Sequence, residues 1–83
     1  MDDLTRLRDA CTRTLATSHH PNPMATVTLT RRARRGVVVL AEAPGALPLK
    51  GTVIDQRVTR GIPATCVMVN AREALDWLTT YAV

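Results

Sequence analysis

The change of hydrophobic pattern between neighbouring stretches constrains this chain most. In "ATVTLTR", residues 25 to 31, Ala25, Val27 and Leu29 face one way and Thr26, Thr28 and Thr30 the other. That is a strand with one dry and one wet face, and its exposed threonine row suits an edge position. The alternation then disappears. In "GVVVLAEA", 36 to 43, Val37, Val39 and Ala41 fill one face while Val38 and Leu40 fill the other. "TVIDQRV", 52 to 58, sets Val53 and Ile54 on opposite faces, and "ATCVMVN", 64 to 70, sets Cys66 and Met68 against Val67 and Val69. Strands apolar on both faces need cover on both.

Helical periodicity brackets these strands. From Asp2 to about Thr17, Leu4, Leu7, Cys11 and Leu15 form one narrow stripe. Asp2 and Asp3 suit the positive end of the helix dipole, and Asp2 with Arg6 and Asp9 with Arg13 are favourable i,i+4 pairs. "SHHPNP" ends this helix, because Pro21 and Pro23 disfavour helical geometry in the residues before them. Asn70 reads as an N-cap, with Glu73 placed to complete a capping box before "AREALDWLTTYA". Ala71, Ala74, Leu75, Leu78 and Ala82 form that helix's centre stripe, and Trp77 and Tyr81 sit on its margin. The expected order is α-β-β-β-β-α in a single α+β domain spanning 1–83. Short connections favour an antiparallel meander of three to four strands, with the N- and C-terminal helices packed on it. If both helices share one face, Val38 and Leu40 are left bare on the other. One helix on each side would cover both faces; otherwise a homodimer through the bare face is the simplest cover, and the marginal Trp77 and Tyr81 also ask for a protein partner.

A chain of 83 residues buries only about 60–65% of its unfolded surface. It has no Phe, one Trp and one Tyr, so Val, Leu, Ile, Ala and Met must build the core. No apolar run approaches the ~18 residues of a membrane span, and "MDDLTRLRD" is the opposite of a signal peptide's basic and then apolar design. A cytoplasmic, soluble protein without membrane contact is the expectation. The two cysteines, Cys11 and Cys66, form no CxxC pair; both fall on apolar faces and read as buried free thiols.

The net charge of +4 is unevenly spread. Residues 31 to 60 hold Arg31, Arg32, Arg34, Arg35, Lys50, Arg57 and Arg60 against Glu42 and Asp55, a local balance of +5, so the rest sums to −1. Four arginines within "RRARR" crowd one another at the tip expected between two strands, and guanidinium chelates carboxylate and phosphate in a bidentate way. Arg31, Arg32, Arg34 and Arg35, joined by Arg57 and Arg60, are therefore the candidates for binding an anionic partner. No catalytic constellation competes with them. Ser18 beside His19 lacks a third orienting group, His19 and His20 lack further ligands nearby in sequence, and no phosphate-loop pattern occurs. No cofactor, metal or enzymatic activity is expected.

The order of elements resembles that of a double-stranded-RNA-binding domain. Such domains carry a lysine cluster at the start of the last helix, where this chain reads "NAREALDW" with Arg72 alone. "VVVLAEAPGALPLKGTVI" is similar to the KOW-type segment of small ribosome- and polymerase-associated barrels, over less than a quarter of the chain. The expected function is that of a small basic binding module, a regulator or inhibitor docking on an acidic protein or nucleoprotein partner. Its size and plainness resemble the format of phage-encoded inhibitors such as anti-CRISPR proteins. A charge-driven nucleic-acid-binding domain and an obligate subunit of a larger complex are the alternatives.

Overall fold

The computed structural model describes residues 2–33, 38–39 and 48–81, with backbone alone at 38, 39, 48 and 81. Helix α1 covers Asp3–Thr17. It opens on Asp2, whose carboxylate accepts the Thr5 N–H at 2.7 Å. That bond holds the Asp2 carboxyl below its usual range and takes the place of the expected pair with Arg6. Leu7 and Cys11 bury themselves fully, with Leu4 and Leu15 packed at their sides. At the other end the Thr14 and Thr17 hydroxyls fold back onto the Ala10 and Arg13 carbonyls, and Ser18 leaves the helix in extended geometry.

Strands follow as β1 (Met24–Leu29), β2 (Val38–Val39), β3 (Pro48–Leu49), β4 (Thr52–Thr59) and β5 (Ile62–Asn70), before helix α2 (Ala71–Tyr81). The principal sheet is antiparallel with order β1-β5-β4, while β2 and β3 form a separate two-stranded ladder. Three strands, not four, make the sheet among the described residues. The expected pairing of β1 with the next strand gives way to Met24–Leu29 against Thr65–Asn70. Of these three strands, β5 has the longest apolar run on both faces and takes the middle, where both faces find cover most easily. The threonine strand lies at an edge, as its pattern predicts.

β4 and β5 form a hairpin closed by Thr59 opposite Ile62. The two turn residues, Arg60 and Gly61, have φ of 53° and 79°, the left-handed pair of a two-residue turn whose twist matches the strands. A bulge between Val53 and Asp55 leaves Ile54 as the extra residue. Gly51, just before β4, sits against β5. A Cβ there would lie 2.7 Å from Val69 Cγ1 and 2.8 Å from the Met68 carbonyl oxygen, so only glycine fits without displacement.

Both helices pack on one face of the sheet. Ala25, Val27 and Leu29 stand opposite Val69, Val67 and Thr65, and all six are buried with Leu7 and Cys11 of α1 and Ala71, Ala74 and Leu78 of α2. Full burial of each leucine contributes about 1.5–3 kcal/mol. The opposite face carries Thr26, Thr28, Ala64, Cys66 and Met68. Asn70 ends β5 and caps α2, its Oδ1 accepting the Arg72 and Glu73 N–H groups. Helix, sheet and turn each follow local pattern; their order in the sheet does not. No helix among the described residues is long and apolar enough to cross a membrane.

Candidate partner-binding surface

The site begins at a carboxylate that sequence periodicity treats as an ordinary helix-start acid. Asp3, only 3% exposed, accepts the Thr30 N–H and hydroxyl, both at 3.1 Å, and the Arg31 Nε–H at 2.9 Å. Arg6 reaches the same carboxylate at 4.0 Å. The first turn of α1 is thereby fastened to the chain as it leaves β1. Next, the buried Thr65 hydroxyl donates to the Arg31 carbonyl, and the Ala33 N–H donates to Gln56 Oε1 at 3.0 Å. Gln56 pairs with Thr65, which pairs with Leu29, so residues 31–33 step across the end of the sheet from β1 over β5 to β4.

This crossing corrects the reading of the arginine run as the tip of a hairpin. Buried polar atoms decide the path: Thr65 and Asp3 each need a partner once shielded from water, and the segment after β1 supplies both. Arg31 is consequently turned inward and held in an ion pair with Asp3. Arg32 is exposed. Arg34 and Arg35 lie outside the described residues.

The crossing segment and the β4–β5 turn occupy the same end of the sheet, since Thr65 lies three residues into β5 from Ile62. Arg32, Arg57 and Arg60, all exposed, are thus brought to one end of the molecule. Arg57 is partly neutralised by Asp55, two residues back on the same side of β4, with Nε to Oδ2 at 3.0 Å. Among the described residues Arg32 and Arg60 have no carboxylate partner. Next to the turn stand apolar side chains that periodicity did not single out: Ile62 is 63% exposed and Val58 46%, while Ile54, farther along β4, is 54% exposed. Their signal in the sequence is faint, an isoleucine directly after the turn glycine and a valine before it. Arg60 itself is a bulky residue in left-handed geometry, which costs about 1–2 kcal/mol relative to glycine.

Of the other expected interface residues, Trp77 alone has a described side chain. Trp77 is half-buried on the core margin, lining a groove with Leu49, Lys50, Glu73, Ala74 and Asp76. Leu40 and the side chains of Val38 and Tyr81 lie outside the described residues. Cys11 is fully buried, and burial pushes its thiol up to about 11. Cys66, expected to be buried likewise, is only half-buried. It alternates with Thr65 and Val67, which take the helix-covered face, so its thiol falls on the opposite one. The sheet therefore separates the two cysteines. The histidine loop is locally occupied: His20 Nδ1 accepts the Asn22 N–H at 2.9 Å. Among the described residues no three His, Cys, Asp or Glu side chains converge on one point. Comparison with protein-family models, curated proteins and solved structures finds no match to this chain.

Proposed function

We propose that the chain is a small non-enzymatic binding module, a regulator or inhibitor that docks on a protein or nucleoprotein partner through the basic end of its sheet. One observation carries this reading. Arg60 occupies a turn position where Asn or Gly is favoured, beside an isoleucine left 63% exposed and at the same end as Arg32. A backbone cost retained together with an exposed apolar side chain is the signature of a contact made outside the chain. The guanidinium groups select carboxylates or phosphates, and Ile62 supplies the apolar contact that affinity needs.

The test uses the double variant Arg32→Ala/Arg60→Asn and a pull-down from the native host with and without nuclease. Asn accepts left-handed geometry, so the variant keeps or slightly gains stability, by up to about 1 kcal/mol. It loses the partner that the wild type retains after nuclease treatment. A variant that holds the same partner at wild-type levels refutes the reading. Loss of the wild-type interaction on nuclease treatment points instead to charge-driven nucleic-acid binding, with the logarithmic salt slope on duplex falling by roughly 0.9 per arginine removed.

A further inference from the structure

β4 is the outer strand of the sheet, and no described residue pairs with its free edge. Residues 54–60 along it are all exposed. Natural edges are commonly blunted by lysine, proline or a covering segment; this one presents Ile54 and Val58. Its backbone is also in a condition to pair. Thr59 and Ile62 close a two-residue turn, and such a turn closes on a hydrogen-bonded pair. Alternation then directs the backbone groups of Thr59 and Arg57 toward β5 and those of Gln56 and Val58 outward.

The side chains along this edge form a self-complementary series. Asp55, Gln56 and Arg57 read acid, amide, base, so the order reversed presents base to acid. We propose that a second copy of this chain docks on the edge, β4 against β4, antiparallel about a two-fold axis beside Gln56. Asp55 then faces Arg57 of the second copy, and Gln56 faces its own counterpart, while Ile54, the extra residue of the bulge, lies beyond the match. The contact is isologous, using the same patch on both copies. Asp55 and Arg57 meet as a non-hydrogen-bonded pair, the closer of the two antiparallel arrangements. Their charges already face the same side of β4, as their 3.0 Å ion pair within one chain shows. The result is a continuous six-stranded sheet with the helices of both copies on one side. The bulge at Ile54 ends the match, so the interface is small and the dimer of micromolar strength. The two turns carrying Arg60 point to opposite ends and stay free, so the inference stands apart from the docking reading above.

Sedimentation across the micromolar range tests it with two single charge reversals. Wild type reaches a dimer of twice its 9.1 kDa mass. Asp55→Arg and Arg57→Asp, each alone, place like charges opposite one another at both symmetric positions and weaken self-association by about tenfold or more. Mixed in equal amounts the two variants restore the dimer, because every facing pair is then acid against base. An ion pair confined within one chain gives no such rescue. On wild type, amide exchange at Gln56 and Val58 slows as concentration rises, while that at Thr59 does not change. A wild type that stays monomeric, single reversals that dimerise normally, or a mixture that fails to associate overturns the proposal.

Discussion

Replacing Asp3 by Ala removes the carboxylate that joins the start of α1 to the end of β1. The side chain is 3% exposed and accepts three hydrogen bonds, two from Thr30 and one from the Arg31 guanidinium. Hydrogen bonds to a charged group contribute about 1.5–3 kcal/mol, and the neutral ones about 0.5–1.5 each. Water can reach the exposed Thr30 and recover part of its loss. Arg31, with its side chain 23% exposed, recovers less. The expected destabilisation is therefore about 2–4 kcal/mol, a large share of the roughly 4–12 kcal/mol that a domain of this size possesses. The melting temperature should fall by roughly 10–25 °C. Urea unfolding should show a lower midpoint with an unchanged slope, since the surface exposed on unfolding is the same. Arg31→Met supplies the second arm of a double-mutant cycle, and the pair should couple by about 1 kcal/mol or more. A loss below about 0.5 kcal/mol in Asp3→Ala, or strict additivity with Arg31→Met, refutes the assignment of Asp3 as the fastening of the arginine segment.

The thiols should behave unequally: Cys11 reacts with a thiol reagent only on unfolding, and Cys66, half-buried on the face away from the helices, reacts faster in the native protein. The folded state holds the Cys11 proton more tightly than the unfolded chain, from 9.0 up to about 11. Stability is therefore unaffected below pH 9 and lost as pH rises from about 9 to 11, at about 1.4 kcal/mol per unit; denaturant unfolding of Cys11→Ala should show a flatter profile across that window. Gly51→Ala should destabilise the fold by about 1–3 kcal/mol, read as a lower urea midpoint, because the new methyl meets the Met68 carbonyl, a backbone atom that cannot swing aside. A midpoint equal to wild type would mean that the segment before β4 shifts freely.

Much of the local structure was legible. Leu4, Leu7, Cys11 and Leu15 mark α1 as one stripe at helical spacing, and Leu7 and Cys11 are its buried centre. Asn70 before an alanine-rich amphipathic run marks the start of α2, and its carboxamide does cap that helix. The threonine row of β1 announced an edge, and the two-sided apolar pattern of 64–70 is that of an interior strand. These properties depend on neighbours within a few residues, where side-chain spacing dictates which face stays dry. The expected cover for residues 36–43 rested on the same rule, but Leu40 and the side chain of Val38 lie outside the described residues.

The partners across the chain were not legible in this way. β1 pairs with a strand some forty residues later rather than with its neighbour, because competition among strands for the two-sided middle position is settled by the whole sheet. The fate of the arginines depended on that choice. With β5 beside β1, the buried Thr65 hydroxyl needed an acceptor and Asp3 needed a donor, and the segment carrying Arg31 lay within reach of both. The same run of residues therefore holds one arginine that fastens the fold and one that faces water. A guanidinium's chemistry follows from its residue type. Whether it meets a buried carboxylate or the solvent is decided by which polar groups the tertiary fold removes from water, and those are distant in sequence.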